Sequence, residues 1–259
     1  MSSALALTLE DALSESMKNS RKLASAKQAW LAARESVYSQ KSSNEVSITY
    51  SGSTSYSKTN SGSGWSPSDT YSNKITISRN VYDFGKAQES TRLAEIQLGR
   101  AYASYKNTEQ NVILETIKAY LNVIKTRSDF SLNEMNLDRL GAHVSAAKLR
   151  ASEGTDTSTR VAEAEARYSR AKSDKVRASA NMQNAEDLFI KLTEIDSNKI
   201  WKIKKMPELT HEVPKTIGET ANIAKEKNPN VLIALAGERA ASQSISVLKT
   251  QQNPGISLS

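Results

Sequence analysis

Hydrophobic residues recur at alternating steps of three and four along residues 157–195. This spacing is that of a heptad repeat, and it predicts a long helix that packs against a neighbour along its length. Alanine returns every seventh residue of this seam, so a neighbouring backbone can approach closely while larger side chains fill the gaps. Lys175 alone interrupts the pattern. The seam comprises Val161, Ala164, Tyr168, Ala171, Ala178, Met182, Ala185 and Phe189.

A second, smaller stripe follows another face of the same segment. A helix with two seams has two neighbours, as in a wall or cylinder of helices, whereas a helix in a simple two-stranded coil has one. The stripe consists of Ala162, Ala166, Ser169, Ser173, Val176 and Ala180.

Helical periodicity also covers residues 8–40 and 86–150. Thr8 is the expected N-cap of the first of these helices, because a threonine side chain accepts a hydrogen bond from a free backbone N–H group there. Gly154 is expected to end the second helix, and the polar turn after it supplies N-caps for the helix over 157–195. The predicted fold class is mainly α, with a long antiparallel helical hairpin as a segment of an α-barrel.

The pattern changes to period two in residues 45–57 and 71–80, which predicts two β-strands joined by a Ser/Gly-rich loop over 58–70. Each run has about the 9–11 residues that cross a bilayer as a tilted strand. One face is apolar or aromatic and the other is small and polar, as in an outer-membrane β-barrel. The alternative is an exposed hairpin on a soluble helical protein. The positions expected to face lipid are Val46, Ile48, Tyr50, Tyr56, Tyr71, Ile75 and Ile77.

The opening of the chain recurs near its end. The sequence around Thr8 resembles that around Thr216, and the sequence around Ile48 resembles that around Leu258. An offset of about 210 residues indicates a duplicated unit. The resulting division is a first structural repeat over 1–215, in which 196–215 is a connector, and the opening of a truncated second repeat over 216–259.

The composition supports an elongated helical protein. Hydrophobic residues make up 38% of the chain, and residues 68–206 contain no proline, which costs about 3 kcal/mol inside a helix. There is no cysteine, which excludes disulfides and cysteine-ligated zinc. We find no stretch that approaches the roughly 20 apolar residues of a transmembrane helix.

The net charge of +7 is spread along the helices and mixed with acidic residues, which is typical of a solvated helical face. A nucleic-acid surface would cluster its basic residues among aromatics, and the densest basic run, 199–205, is short. His143 and His211 lack partners at ligand spacing, and the chain has no phosphate-binding glycine loop or nucleophile elbow. We therefore expect no enzyme, no metal or other cofactor, and no nucleic-acid partner.

The order of these elements, together with four short motifs, resembles the TolC-like outer membrane efflux family. The motifs are LEDAL at 9–13, YDFGK at 82–86, GTDTSTRVAEAEAR at 154–167 and NPNV at 228–231. The match covers nearly the whole chain. Two departures are Arg160, which stands where the family often has Asp, and the missing second hairpin and second strand pair.

This resemblance implies a homotrimeric duct in the outer membrane and periplasm of a Gram-negative bacterium. In the family, the strands join a barrel in outer-membrane lipid and the helices form a periplasmic tunnel. The tunnel tip docks a periplasmic adaptor (membrane fusion) protein, which links the duct to an inner-membrane transporter. Three copies of this chain would supply too few complete strands for that barrel, so either the chain is a fragment or more copies assemble. The docking tip would comprise Gly154, Thr155, Asp156, Thr157 and Arg160.

The predicted function is that of an outer-membrane duct component of a tripartite efflux or type I secretion system, exporting solutes or proteins. The alternative is a soluble periplasmic coiled-coil scaffold or adaptor without membrane insertion. That alternative explains the heptads but not the strands of bilayer length or the repeat. A basic nucleic-acid-binding rod is a weaker third hypothesis, which requires binding to fall steeply with salt.

Overall fold

The computed structural model describes residues 7–42, 45–60, 62, 64–203, 214, 216–253 and 256–258. It confirms the predicted fold class, because long helices dominate and two strands form an antiparallel hairpin. The elements in chain order are α1 (Leu9–Asn19), α2 (Arg21–Ser42), β1 (Ser47–Asn60), β2 (Trp65–Tyr82), α3 (Lys86–Ser152), α4 (Ser158–Thr193), a 3-10 helix (Ser197–Lys202), α5 (Ile217–Lys227), α6 (Pro229–Gln251) and β3 (Ile256–Leu258).

The chain divides into two compact units, and α3 contributes residues to both. The first unit comprises residues 1–24 and 108–214, and the second comprises 25–107 and 215–259. The core of the first unit draws on α1, α3, α4 and the 3-10 helix. Its buried members are Ala12, Ala119, Tyr120, Val123, Ala185, Phe189, Ile195, Ile200 and Ile203.

Polar groups inside the first unit are paired. The hydroxyl oxygens of Ser16 and Thr116 lie 2.7 Å apart and both side chains are buried. Arg127 donates through Nε to Glu186 Oε1 at 2.8 Å. Its terminal nitrogens donate to two carbonyl oxygens in and just after the 3-10 helix, at 3.0 and 3.1 Å. Because charge-assisted bonds are stronger than neutral ones, Arg127 anchors this short helix to α3 and α4.

The single helix predicted over 8–40 is in fact two helices. Ser20 has extended dihedral angles (φ −64, ψ 111), which end α1, and its Oγ accepts a hydrogen bond from the Leu23 N–H at 3.3 Å. Serine caps helices readily, and an apolar stripe does not reveal a one-residue interruption. The predicted N-cap is confirmed, since Thr8 Oγ1 accepts from the Asp11 N–H and the Thr8 N–H donates to Asp11 Oδ2.

The predicted seam positions of α4 are among the less exposed ones of the helix. Ala171, Ala178, Ala185 and Phe189 are buried, and the other four seam positions are half-buried. The second stripe is exposed throughout, so its expected neighbour is not among the described residues. The helix ends at Thr193 rather than 195, because Glu194 takes a left-handed conformation with φ 53.

In the second unit, α2 and α6 both pack on the N-terminal part of α3. Trp30 lies against Tyr102 and Tyr105, with ring centroids 5.7 and 6.0 Å apart. Gln243 of α6 donates from Nε2 to the Glu89 backbone oxygen at 3.1 Å. Trp30 therefore packs between helices, as an aromatic side chain on a helix face usually does.

The strands are longer than predicted. β1 runs to Asn60 and β2 begins at Trp65, so most of the predicted loop over 58–70 is paired strand. Serine and threonine tolerate the pleated surface when they alternate with other residues, and their abundance alone does not indicate a loop. The sheet order is β1-β2-β3, with β3 paired only to Arg79, Asn80 and Tyr82.

Helices α5 and α6 meet at a single extended residue. Asn228 (φ −77, ψ 116) ends α5, and its Oδ1 accepts from the Asn230 N–H at 2.9 Å. Pro229 occupies the first position of α6, where its fixed φ and missing N–H fit. This arrangement parallels the break at Ser20.

Among the described residues, α6 is the one helix long and apolar enough to cross a membrane, which the sequence analysis did not expect. It carries Glu238 and Arg239 near its middle. Ionisable side chains are costly in hydrocarbon, so length and hydropathy are weak evidence for a span here.

Candidate functional site: a two-faced strand hairpin and a helical tip

The seven positions predicted to face lipid lie on one face of the β1–β2 hairpin. Strand pairing sets Ile48 opposite Ile77 and Tyr50 opposite Ile75, and directly opposed residues point to the same side of a sheet. Val46 immediately precedes β1 and continues the alternation. Each of the seven is more than half exposed. The structure therefore gathers them on one face, where Asn73 and Asp69 are polar residues among them. Exposed apolar side chains grouped in this way mark contact with a membrane or another protein. The set is Val46, Ile48, Tyr50, Tyr56, Tyr71, Ile75 and Ile77.

Aromatic rings stand at both ends of the hairpin, and the sequence analysis missed several of them. Tyr82 and Phe84 make an edge-to-face pair at 4.6 Å where β2 leads into α3. Trp65 begins β2 at the opposite end, with Lys58 Nζ 5.6 Å from its ring centroid. Such rings favour membrane–water interfaces. The signal that could have found Trp65 is the alternation that continues through the Ser-rich residues 65–70.

The opposite face of the hairpin consists of hydroxyl side chains. The alternating positions from Ser47 to Thr59 and from Ser66 to Ser78 are all serine or threonine, except for Lys74. This face is small, polar and almost free of charge. A sheet with one apolar face and one hydroxyl face fits a boundary between hydrocarbon and water.

The edges of the hairpin lack partners over most of their length. β1 pairs with β2 on one side, and no described strand pairs with its other side. The second edge of β2 pairs with β3 only near Arg79–Tyr82. Unpaired backbone N–H and C=O groups cannot remain in hydrocarbon, so a hairpin of this kind in lipid needs neighbouring strands.

The helical tip begins where α3 ends. Gly154 has φ +74, a left-handed conformation that glycine adopts without steric cost, as predicted for a helix stop. The Thr155 N–H and hydroxyl both donate to the Arg150 carbonyl oxygen, at 2.9 and 3.0 Å. These bonds satisfy a carbonyl group that the last helical turn leaves free.

Asp156 organises the rest of the tip. Its Oδ1 accepts from the Thr157 N–H at 2.9 Å, its Oδ2 lies 3.4 Å from Arg150 Nε, and its Oδ1 lies 3.5 Å from Arg160 Nε. The carboxylate is 12% exposed, whereas the two arginines are 53% and 75% exposed. The structure thus brings the predicted tip residues together and adds Arg150, which the sequence analysis missed. A basic residue in the last turn of α3 was the available signal.

Lys175, the exception in the seam, has a partner on α3. Its Nζ donates to Glu134 Oε1 at 2.8 Å and lies 5.7 Å from the Phe130 ring centroid. The hydrogen bond that Lys175 donates to Glu134 raises the pKa of Lys175, burial opposes that shift, and the charges of Glu134 and Asp138 add to it. A polar residue in a helical seam fixes the register of the two helices, because a shift would leave its charge unpaired.

Comparison with known proteins identifies the chain's relatives. The family described as Outer membrane efflux protein matches residues 12–193. The outer membrane efflux protein BepC of Brucella suis biovar 1 (strain 1330) is 30% identical over 193 residues, which make up 73% of this chain and 41% of that protein.

Solved structures share the fold. The Campylobacter jejuni CmeC outer membrane channel superposes with a TM-score of 0.79 at 18% identity, covering 96% of this chain and 54% of that one. The outer membrane protein VceC of Vibrio cholerae gives 0.75 at 16% identity, covering 96% of this chain and 60% of that one. This chain spans about half the length of these relatives.

Proposed function

This chain belongs to the outer membrane efflux protein family, and we propose that it forms part of an outer-membrane duct that exports solutes or proteins. Family membership places it in the outer membrane. The duct would serve a tripartite efflux or type I secretion system. Transport would depend on a water-filled bore and a lipid-facing surface.

The observation that carries this proposal is the contrast between the two faces of the hairpin. The face with Ile48, Tyr50, Ile75 and Ile77 would contact lipid, and the hydroxyl face would line water. The open edge of β1 supports assembly with neighbouring strands, because a closed barrel satisfies every strand edge. We propose a homotrimer for the complete gene product, as the family resemblance implies.

The tip supports docking of a periplasmic adaptor. Arg150 and Arg160 extend beside an almost buried Asp156, and their terminal N–H groups make no hydrogen bond with any described residue. Guanidinium groups held in place and otherwise free can donate to carboxylate or carbonyl oxygens of a partner. An Arg160→Glu substitution should reduce adaptor co-purification with the complete gene product, whereas Arg170→Glu, farther along α4, should not.

Adjacent strand positions test the membrane assignment. In the complete gene product, Ile75→Arg places a charge on the apolar face, and Thr76→Arg places the same charge on the hydroxyl face. An arginine on the lipid face costs about 2–4 kcal/mol near the bilayer centre, whereas one facing water costs little. We expect Ile75→Arg to lose outer-membrane fractionation and oligomer, and Thr76→Arg to keep both.

If Thr76→Arg lost fractionation and oligomer and Ile75→Arg kept them, the hydroxyl face would be the one that contacts lipid. Normal fractionation of both variants, or a wild-type particle that is soluble and monomeric or dimeric, would contradict the duct. Those outcomes would favour the alternative hypothesis of a soluble coiled-coil scaffold. The mass of the detergent-solubilised wild-type particle gives the oligomeric state directly.

A further inference from the structure

Lys74 is the exceptional residue of the hydroxyl face. It lies opposite Ser51, is exposed, and makes no ion pair with any described residue. Its neighbours on the same strand and face are Ser72 and Thr76, which carry no charge. A lysine with a counter-charge is seen elsewhere in the chain at Lys148, whose Nζ lies 2.7 Å from Glu165.

The other charged groups of the paired strands lie elsewhere. Register places Lys58 and Asp69 on the apolar face, where Lys58 Nζ stands 5.6 Å from the Trp65 ring centroid. Arg79 follows Ile77 by two residues on β2, so it continues the same face. The hydroxyl face of the described hairpin therefore carries a positive charge without a counter-charge. Hydroxyl groups orient around an ion but do not cancel its field, which extends about 10 Å at 0.1 M salt.

We propose that Lys74 biases the strand-lined section of the duct toward anions. This inference rests on the proposed function, because it requires the hydroxyl face to line water. Symmetric copies would place the lysines in a ring, and rings of lysine or arginine favour anions in pores. The ring would act on small ions and on anionic groups of the exported material as they pass.

The two lysines of the hairpin provide a matched pair for the test. The complete gene product is reconstituted in planar bilayers, and the reversal potential is measured across a KCl gradient. We compare the wild type with Lys74→Gln, Lys74→Glu, Lys58→Gln and Lys58→Glu. The rest of the duct also contributes to selectivity, so the readout is the change caused by each substitution.

We expect Lys74→Gln to lower the chloride-to-potassium permeability ratio by roughly twofold in dilute salt, and Lys74→Glu to lower it further. The shift should shrink toward 1 M salt, where the screening length falls to about 3 Å. Both Lys58 variants should keep the wild-type ratio, because their side chains lie on the other face.

Three results would overturn the proposal, and each would contradict a different part of it. Channels of wild-type selectivity in both Lys74 variants would refute the role of Lys74 and leave the duct intact. A shift only in the Lys58 variants would show that the other face lines the bore. Failure of the folded, membrane-inserted wild type to conduct would refute the duct itself.

Thiol labelling tests independently whether the side chain at position 74 faces the bore of the duct. The chain contains no cysteine, so Lys74→Cys introduces a single thiol into it. We expect a water-soluble cationic thiol reagent to raise the chloride-to-potassium ratio of that channel, and an anionic reagent to lower it. A Lys74→Cys channel that responds to neither reagent would contradict the proposal.

Discussion

Helices α1 and α5 have the same length and the same type of cap, yet only α1 has buried residues. Each is 11 residues long, and each begins after a threonine whose side chain accepts a hydrogen bond from the backbone N–H of the acidic residue three positions later. Each ends at one extended residue before a longer helix. In α1, Ala12 and Ser16 are almost fully buried, whereas α5 has no buried residue and Ile217 is 91% exposed.

The difference shows that local sequence determines where these helices begin and end, whereas tertiary partners determine what they bury. α1 packs on α4 and contributes to a core with Tyr120 and Phe189. For α5, the described residues supply contacts from α6 and no counterpart of α4. Caps form from a few neighbouring residues, so they appear in both copies whether or not a partner is present.

The largest expected effect comes from placing a charge at matching positions of the two helices. Ala12 has zero exposure, and the matching residue of α5, Thr220, is exposed. Ala12→Glu should cost about 3–5 kcal/mol, because it buries a charge without a partner. Thr220→Glu should stay within about 0.5 kcal/mol. Urea unfolding followed by circular dichroism checks both, and similar losses would contradict the comparison.

A smaller effect is expected from the buried hydroxyl pair. Thr116→Val leaves the Ser16 hydroxyl without its partner and should cost about 1–3 kcal/mol. Ser16→Ala introduces the residue found at the matching position of α5, Ala224, and should cost less. The double variant should recover part of the Thr116→Val loss, and a double-mutant cycle measures that coupling. Strictly additive losses would show that the two hydroxyls do not interact.

The smallest expected effect is a pH dependence of α1 docking. Burial raises the pKa of Tyr120 above its ordinary value of 10.0, and the Asp11 carboxylate on α1 adds to the shift. A raised pKa means that the folded state holds the proton more tightly. Its contribution to stability is therefore complete below about pH 10 and is lost as the pH rises through the folded-state pKa.

Amide hydrogen exchange of α1 measures this loss. Exchange rates are corrected for their intrinsic pH dependence, and Tyr120→Phe serves as the variant without the ionisable group. Because the pKa of Lys175 is also raised, both proteins should carry Lys175→Met. We expect α1 protection to fall at alkaline pH only when Tyr120 is present, while α5 is unaffected. An equal fall in the Tyr120→Phe protein would assign the effect to other groups.

Periodicity was sufficient to predict the two longest helices, α3 and α4. The α4 seam follows from its three-four spacing, since burial on one helix face requires that pattern. The break at Ser20 was missed because the apolar stripe continues across it, and only a backbone dihedral angle records the interruption. The strand residues 58–60 and 65–70 were missed because the Ser-rich composition outweighed the alternation from Trp65 onward.

The candidate site was predictable where neighbours in sequence are neighbours in space. Gly154 and the threonines of the tip follow from turn chemistry, and strand alternation groups Ile48 with Tyr50. Arg150 meets Asp156 only after the chain reverses at Gly154, and Lys175 meets Glu134 across 41 residues of sequence. Such pairs depend on the register between two elements, which one sequence does not specify.

The unpaired edge of β1 has a consequence for biogenesis. Before neighbouring strands arrive, the backbone groups of this edge and the adjacent isoleucines are an adhesive surface in water. A newly made chain therefore carries its greatest aggregation hazard in the segment that its final assembly would bury. Closure of the barrel buries the surface that would otherwise aggregate. The yield of assembled protein therefore depends on how quickly the subunits associate.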